Sequence, residues 1–175
     1  MKKLVLFICN GNMHRSVIAA ECLKNILEKN KKDHVNIVVD SYGLQGTQGT
    51  TPPIHKKLSQ YPKEWAAAQP TLRKLHIDIQ THTSQPITAR IMKKASVVIA
   101  MDEKVSVRAT NSLKKQFPNQ IHKIHRFAEL TPDHKTIKDP AGNGNKKFHE
   151  KIIRRIHSTL QKKYKNIIVW AKINE

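Results

Sequence analysis

KLVLFICNGNMHRS, residues 3–16, decides how the rest of the chain is read. Leu4 to Cys9 is an unbroken apolar run closed by Asn10-Gly11, the pattern of a buried strand that stops at a turn. A helical pattern opens at Ser16. Between them lies a C-x5-R-S spacing: Cys9, then Asn10, Gly11, Asn12, Met13 and His14, then Arg15 and Ser16. So short a loop at a helix start aims successive backbone N–H groups inward, where the helix dipole is positive, and that geometry cradles an anion. A thiol at the base of the cradle, beside a guanidinium, is expected to be a nucleophile at neutral pH. Arg15 has the planar fork that can hold two oxygens of a phosphoryl group, which a lysine cannot match. Ser16 can donate its hydroxyl to the sulfur and steady it as a leaving group. Gly11 and Asn12 are residue types that tolerate left-handed backbone angles in such a turn.

A cysteine ending a core strand is more often a small buried hydrophobe, and C-x5-R recurs by chance. Strand, Asn-Gly pair, Arg-Ser and helix coincide here, and together they outweigh that reading. VLFICNGNMHRS resembles the phosphate-binding loop of the low-molecular-weight protein tyrosine phosphatases. VDSYG at 39–43, IAMDE at 99–103 and IKDP at 137–140 follow in that family's order, so the resemblance covers almost the whole chain. It implies a phosphomonoesterase, foremost a protein tyrosine phosphatase, acting through a phosphocysteine with no metal or organic cofactor. Residues 10–14 and Ser16 would bind the substrate phosphoryl group.

Working outward, Ser16 to about Lys31 places Ala19, Ala20, Leu23, Ile26 and Leu27 at helical spacing, with Glu21, Lys24 and Glu28 opposite. Val35 to Val39 is a second β-branched run, and strand, helix, strand implies a right-handed parallel crossover. Residues 44–62 are rich in Gly, Thr, Gln and Pro and read as a long surface loop. Residues 47–70 look expanded relative to the family. Glu64 to His76 is a helical pattern that Pro70 interrupts, so one helix or two shorter ones are both open. Residues 77–79 and 82–88 read as connecting loop. Ser96 to Met101 is a third strand, Asp102 an N-cap for a helix to about Lys115, and Ile121 to Phe127 a weaker fourth strand. Phe148, Ile152, Ile153, Ile156 and Leu160 give the last helix its apolar face, with Lys147, Lys151, Arg154, Arg155 and Lys162 on the other. The expected fold is a three-layer α/β architecture: a four-stranded parallel sheet, helices on both faces, and a phosphate loop after the first strand.

The 175 residues, 38% hydrophobic, suit one domain over 1–175. Met-Lys-Lys and a short apolar run imitate a leader, but the run ends at Cys9 with no small-residue cleavage site after it. No segment approaches membrane-spanning length, so a soluble, cytoplasmic protein is expected. Cys9 and Cys22 offer no disulfide framework, and Cys22 reads as a packed helix residue. The formal charge of +19 favours anionic partners. Aromatics make up only 5%, so a base-stacking surface for nucleic acid has little support.

A phosphocysteine route needs a group that protonates the leaving oxygen and later activates water. Asp139 fits: it opens DPAGNGN, 139–145, between the last strand and the last helix, and Pro140 holds it extended. Its other reading is an ordinary Asx turn. The family's general acid occupies an Asp-Pro of this kind. Asp40, Asp78, Asp102 and Asp133 have structural readings or no motif. The resemblance also implies that Asn12, Ser41 and His82 support the loop through hydrogen bonds, with His55, His76 and His125 as rivals to His82. The chain departs from the family at three places. His14 stands where many relatives carry a second cysteine, which would leave an oxidised Cys9 without a disulfide partner. Ala141 and Gly142 replace the two tyrosines of the animal members, and Val17 replaces a helix-starting proline.

Three further functions fit less well. A thioredoxin-linked arsenate reductase shares the fold but needs more cysteines in relay. A protein arginine phosphatase carries Thr where Met13 stands. A non-catalytic, basic phosphate-binding module would not need every chemical residue present. The expected partner is a phosphorylated protein or a small phosphomonoester.

Overall fold

The structure is a computed structural model describing residues 2–30, 36–44 and 54–173. Four strands form its sheet: β1 (Lys3–Cys9), β2 (Ile37–Gly43), β3 (Val97–Ala100) and β4 (Ile124–Arg126). They are all parallel, in the order β2-β1-β3-β4. Alternation along β1 sorts its side chains to the two faces. Val5, Phe7 and Cys9 join one apolar cluster with Val97 and Ile99, while Leu6 and Ile8 join a second with Val98 and Ala100. The two central strands are thus buried on both sides, which is why they read as continuous apolar runs.

Helices α1 (Arg15–Lys29), α2 (Pro62–Lys74) and α5 (Lys146–Ile173) supply the first cluster. Helices α3 (Ala89–Lys94) and α4 (Leu113–Gln116) supply the second, through Met92 and Leu113. The three-layer reading is therefore correct, and the sequence places Cys9 at the carboxyl edge of β1. The adjacent ends of β1 and β3 mark the point where the strand order turns, the usual crevice for a ligand in such a sheet. Among the described residues, no helix is long and apolar enough to cross a membrane.

Several elements differ from the sequence reading. The second strand runs on through Asp40, Ser41 and Tyr42 to Gly43, because β1 offers it a full parallel edge: Phe7 lies opposite Ser41 and Cys9 opposite Gly43. Val35 lies outside the described residues, as does much of the proposed long loop, residues 45–53. Leu44, just past the end of β2, does not lie on the surface but is fully buried core. α2 is one helix, with Pro62 in its first turn and Pro70 inside it. Pro70 and Ala66 both face solvent, so the carbonyl that loses its donor remains open to water.

The helix expected from Asp102 to Lys115 is a π-helical turn, Lys104–Arg108, followed by a break and the short α4. The fourth strand is only Ile124–Arg126, flanked by 3-10 turns at Pro118–Lys123 and Phe127–Leu130. The last helix outruns Leu160 because Ile167, Ile168 and Ala171 continue its buried stripe. Trp170 then stacks on His125 of β4, with ring centroids 4.1 Å apart and planes within 2°. On its other face Lys147, Lys151 and Lys162 are exposed, whereas Arg154 and Arg155 are half-buried and pair with Glu150 and Asp133.

Candidate active site

Cys9 ends β1 and is only 4% exposed. Its sulfur accepts the Asn12 backbone N–H at 3.2 Å, and Ser16 Oγ lies 3.0 Å away, placed to donate to it. Two donors on one sulfur stabilise charge there. The turn that brings the Asn12 N–H back onto the sulfur uses a left-handed residue, Asn12 itself, at φ +50. Gly11 does not use the left-handed freedom expected of it. It is not among the positive-φ residues, but a Cβ there would come within 3.2 Å of Met13 Cε.

The Asn12 side chain fixes the turn from behind. Its Nδ2 donates to Ser41 Oγ at 3.0 Å and to Ser16 Oγ at 3.3 Å. Its Oδ1 accepts the Gln85 N–H at 2.9 Å and His82 Nε2 at 3.2 Å, and that same nitrogen reaches the Asn12 carbonyl at 3.0 Å. Both His82 partners are oxygen acceptors, so Nε2 carries its hydrogen. Burial lowers the His82 pKa against the opposing pull of the Asn12 carbonyl and Asp40, which suits a neutral donor. Ser41 and His82 are thus brought to the loop as expected; His55, His76 and His125 make no bond to it that rivals these.

Arg15 is fully enclosed, 1% exposed, which an arginine tolerates only when its donors are met. Nη1 donates to Asp102 Oδ2 at 2.5 Å and to the Ile137 carbonyl at 2.9 Å; Nη2 donates to Asp139 Oδ2 at 2.6 Å. Burial works against the guanidinium charge, but Asp139, Cys9 and Asp102 together outweigh it and hold its pKa above the usual range. Asp139 is therefore beside the loop, with its Oδ1 taking the Ala141 N–H at 3.2 Å in an Asx turn. The two readings of Asp139 are compatible: the turn aims the carboxylate.

Asp102 was read only as a cap. It does cap, Oδ1 accepting the Val105 N–H at 2.8 Å, but its other oxygen belongs to Arg15. The available signal was its position just past the carboxyl end of β3, next to β1. Glu64 and Tyr61 were also missed. With Leu58 they form the wall of a cavity of about 370 Å³ across from Ala141 and Gly142, and Glu64 Oε1 accepts the Gly142 N–H at 3.0 Å. Cys9, Asn10, Gly11, Met13 and Arg15 lie on the same cavity.

His14 is buried, and its Nε2 meets His149 Nδ1 of α5 at 3.1 Å. Burial first, then His149 and Arg15, push its pKa down to about 3, so the ring is neutral. Cys22 lies buried in α1, and burial first, with Glu21, pushes its thiol up to about 12, in keeping with a packed, unreactive residue. Among the described residues, no cluster of His, Cys, Asp and Glu could hold a metal ion.

A buried sulfur carrying two donors, an arginine behind it and a carboxylate at the rim can receive a phosphoryl group. The family described as low molecular weight phosphotyrosine protein phosphatase matches residues 4–168. The chain belongs to that family. Within this phosphatase family it is similar to the protein-arginine-phosphatase of Bacillus subtilis (strain 168), with 25% identity over 165 residues, 90% of this chain and 97% of that protein. Among solved structures, the low molecular weight protein tyrosine phosphatase from T. tengcongensis superposes with a TM-score of 0.73 at 21% identity, over 94% of this chain and 99% of that one. A YwlE mutant from Bacillus subtilis gives 0.71 at 24% identity, over 95% and 99%. At these identities the superpositions speak for the fold, which is the parallel sheet with a phosphate loop after β1. Family membership makes the chain a cysteine-dependent phosphatase of the low molecular weight type; its relatives divide between tyrosine and arginine substrates.

Proposed function

We propose that this phosphatase hydrolyses phosphotyrosine through a phosphocysteine. Cys9 Sγ attacks phosphorus in line with the leaving oxygen, while the N–H groups of residues 10–14, the Ser16 hydroxyl and Arg15 hold the phosphoryl oxygens. The phosphorus–oxygen bond breaks as Asp139 gives its proton to the leaving phenolate. Asp139 then takes a proton from water as that water attacks phosphorus, the sulfur–phosphorus bond breaks, and Ser16 and the Asn12 N–H receive the charge on sulfur. An arriving phosphoryl dianion competes with Asp139 for Arg15, so binding frees the acid for its task, while Asp102 and the Ile137 carbonyl keep the guanidinium in place. The observation that carries this reading is the pairing of Cys9 Sγ with Asn12 N–H and Ser16 Oγ beside an Arg15 that Asp139 already touches.

For the tyrosine, the support is the wall across the cavity. Leu58, Tyr61 and Pro140 offer apolar surface to an aryl ring, and Met13 stands where the arginine-type members carry Thr. The second reading, a protein arginine phosphatase, is favoured by the Bacillus relative. Hydrolysis of p-nitrophenyl phosphate, a phosphotyrosyl peptide and a phosphoarginyl peptide separates them. Wild type should prefer the phosphotyrosyl peptide, Cys9→Ser should be inactive, and Asp139→Ala should lose about 10²–10⁴ in rate on the tyrosyl peptide. Preference for phosphoarginine moves the substrate to the second reading; turnover by Cys9→Ser removes the phosphocysteine route altogether.

A further inference from the structure

His14 lies inside the phosphate loop, and His149 is fully buried near the start of α5. The two rings meet edge to face, centroids 5.0 Å apart and planes at 71°. On its far side His149 Nε2 reaches the Asn143 carbonyl at 2.5 Å. A carbonyl only accepts, so His149 Nε2 carries hydrogen; its Nδ1 then accepts from His14 Nε2 in the neutral tautomers. The sense of the whole chain is set at one end: His14 donates to His149, which donates to Asn143. His14 Nδ1, the last atom, has no partner among the described residues. Asn143 is not an arbitrary anchor. Its N–H closes a turn on the Pro140 carbonyl at 3.0 Å, one residue after Asp139.

We propose that His149 is a positioning residue: with His14 it fastens the 139–145 loop to the phosphate loop and so fixes Asp139 at the leaving oxygen. The proposal rests on Asp139 being the general acid. His149 touches no reacting atom in this scheme and acts only through Asn143 and the turn. The sequence hides it, because His14 and His149 are 135 residues apart. His14 stands where many members of the family carry a cysteine, and a thiol would make a poorer donor to a ring nitrogen.

The test uses leaving groups. Phenyl phosphate needs its oxygen protonated, whereas 2,4-dinitrophenyl phosphate expels a stable anion and hardly needs an acid. His149→Phe keeps the ring but loses both hydrogen bonds. It should lower kcat/KM about tenfold on phenyl phosphate and far less on the dinitrophenyl ester. In an Asp139→Ala background it should add no further loss on phenyl phosphate. His149→Gln, whose amide can donate to Asn143 and accept from His14, should recover most of the lost rate. Nitrogen NMR of the wild-type rings should find hydrogen on Nε2 of both histidines, a reading that needs no variant to fold. Equal losses on both esters, additive losses with Asp139→Ala, or hydrogen on His149 Nδ1 in place of Nε2 would each overturn the proposal. If Asp139→Ala itself is indifferent to the leaving group, the acid assignment has failed first, and the two failures are told apart.

Discussion

Asp102 divides its two oxygens between a backbone N–H and a guanidinium 87 residues away in the chain. Local sequence reveals the first role, since an aspartate after a strand and before a turn is a capping residue. The second depends on β3 lying beside β1, which brings residue 102 next to residue 15. The two roles can be separated. Asp102→Asn keeps an oxygen for Val105 but removes the charge facing the buried Arg15, so it should cost about 3 kcal/mol in stability while kcat/KM on p-nitrophenyl phosphate falls about tenfold. Asp102→Ala should lose the cap as well, with a further drop of about 1 kcal/mol in a urea titration. If Asp102→Asn is fully active, Arg15 does not need that carboxylate. Asn12 and Gly11 make a similar contrast: the left-handed residue of the turn is Asn12, whereas a Cβ at Gly11 would meet only the flexible end of the Met13 side chain, at 3.2 Å.

At the scale of elements, α2 is the clearest case of packing overriding a local signal. Pro70 removes a hydrogen bond and crowds the preceding turn, a cost of about 3 kcal/mol in a helix interior. The helix persists because Ala67, Ala68, Thr71 and Leu72 are buried on its inner side while Pro70 faces outward. Pro70→Ala should therefore raise the urea midpoint, stabilising the fold by about 1 kcal/mol or more once the greater freedom of the unfolded chain is set against it. A midpoint that falls would mean that the proline is part of the α2 packing. The same helix shapes the site: its first turn carries Glu64, whose carboxylate holds Gly142 in the loop that follows Asp139 and Pro140. Leu58 and Tyr61, from the 44–62 stretch read as a surface loop, wall the pocket together with Glu64 at the start of the helix.

For the whole molecule, burial of a neutral histidine sets a pH dependence of stability. His14 has its pKa lowered from 6.5 to about 3, so between those values the unfolded chain binds a proton that the folded one refuses. Stability is then full above pH 6.5 and falls as the pH drops towards 3, by about 2 kcal/mol at pH 5. The lowered pKa of His82 acts in the same direction. Urea midpoints taken from pH 7 to pH 4 should show this fall, and His14→Gln should flatten the part that His14 contributes. An unchanged slope would mean that His14 is hydrated, and not enclosed, in solution.

The sequence by itself determined four strands alternating with helices and the phosphate loop after the first strand, because each is written in a local pattern: an apolar run, an Asn-Gly turn, a helical stripe. It also singled out Cys9, Arg15 and Asp139 by chemical type, and Ser41 and His82 through family resemblance. Tertiary structure alone decided which groups meet. The pairing of Arg15 with Asp102, the hydrogen bond from His14 to His149 and the hold of Glu64 on Gly142 join residues 87, 135 and 78 positions apart. No periodicity encodes such encounters. They arise where the carboxyl ends of parallel strands converge, and burial there makes an unpartnered charge costly, so the buried Arg15 is met by Asp102, Asp139 and the Ile137 carbonyl.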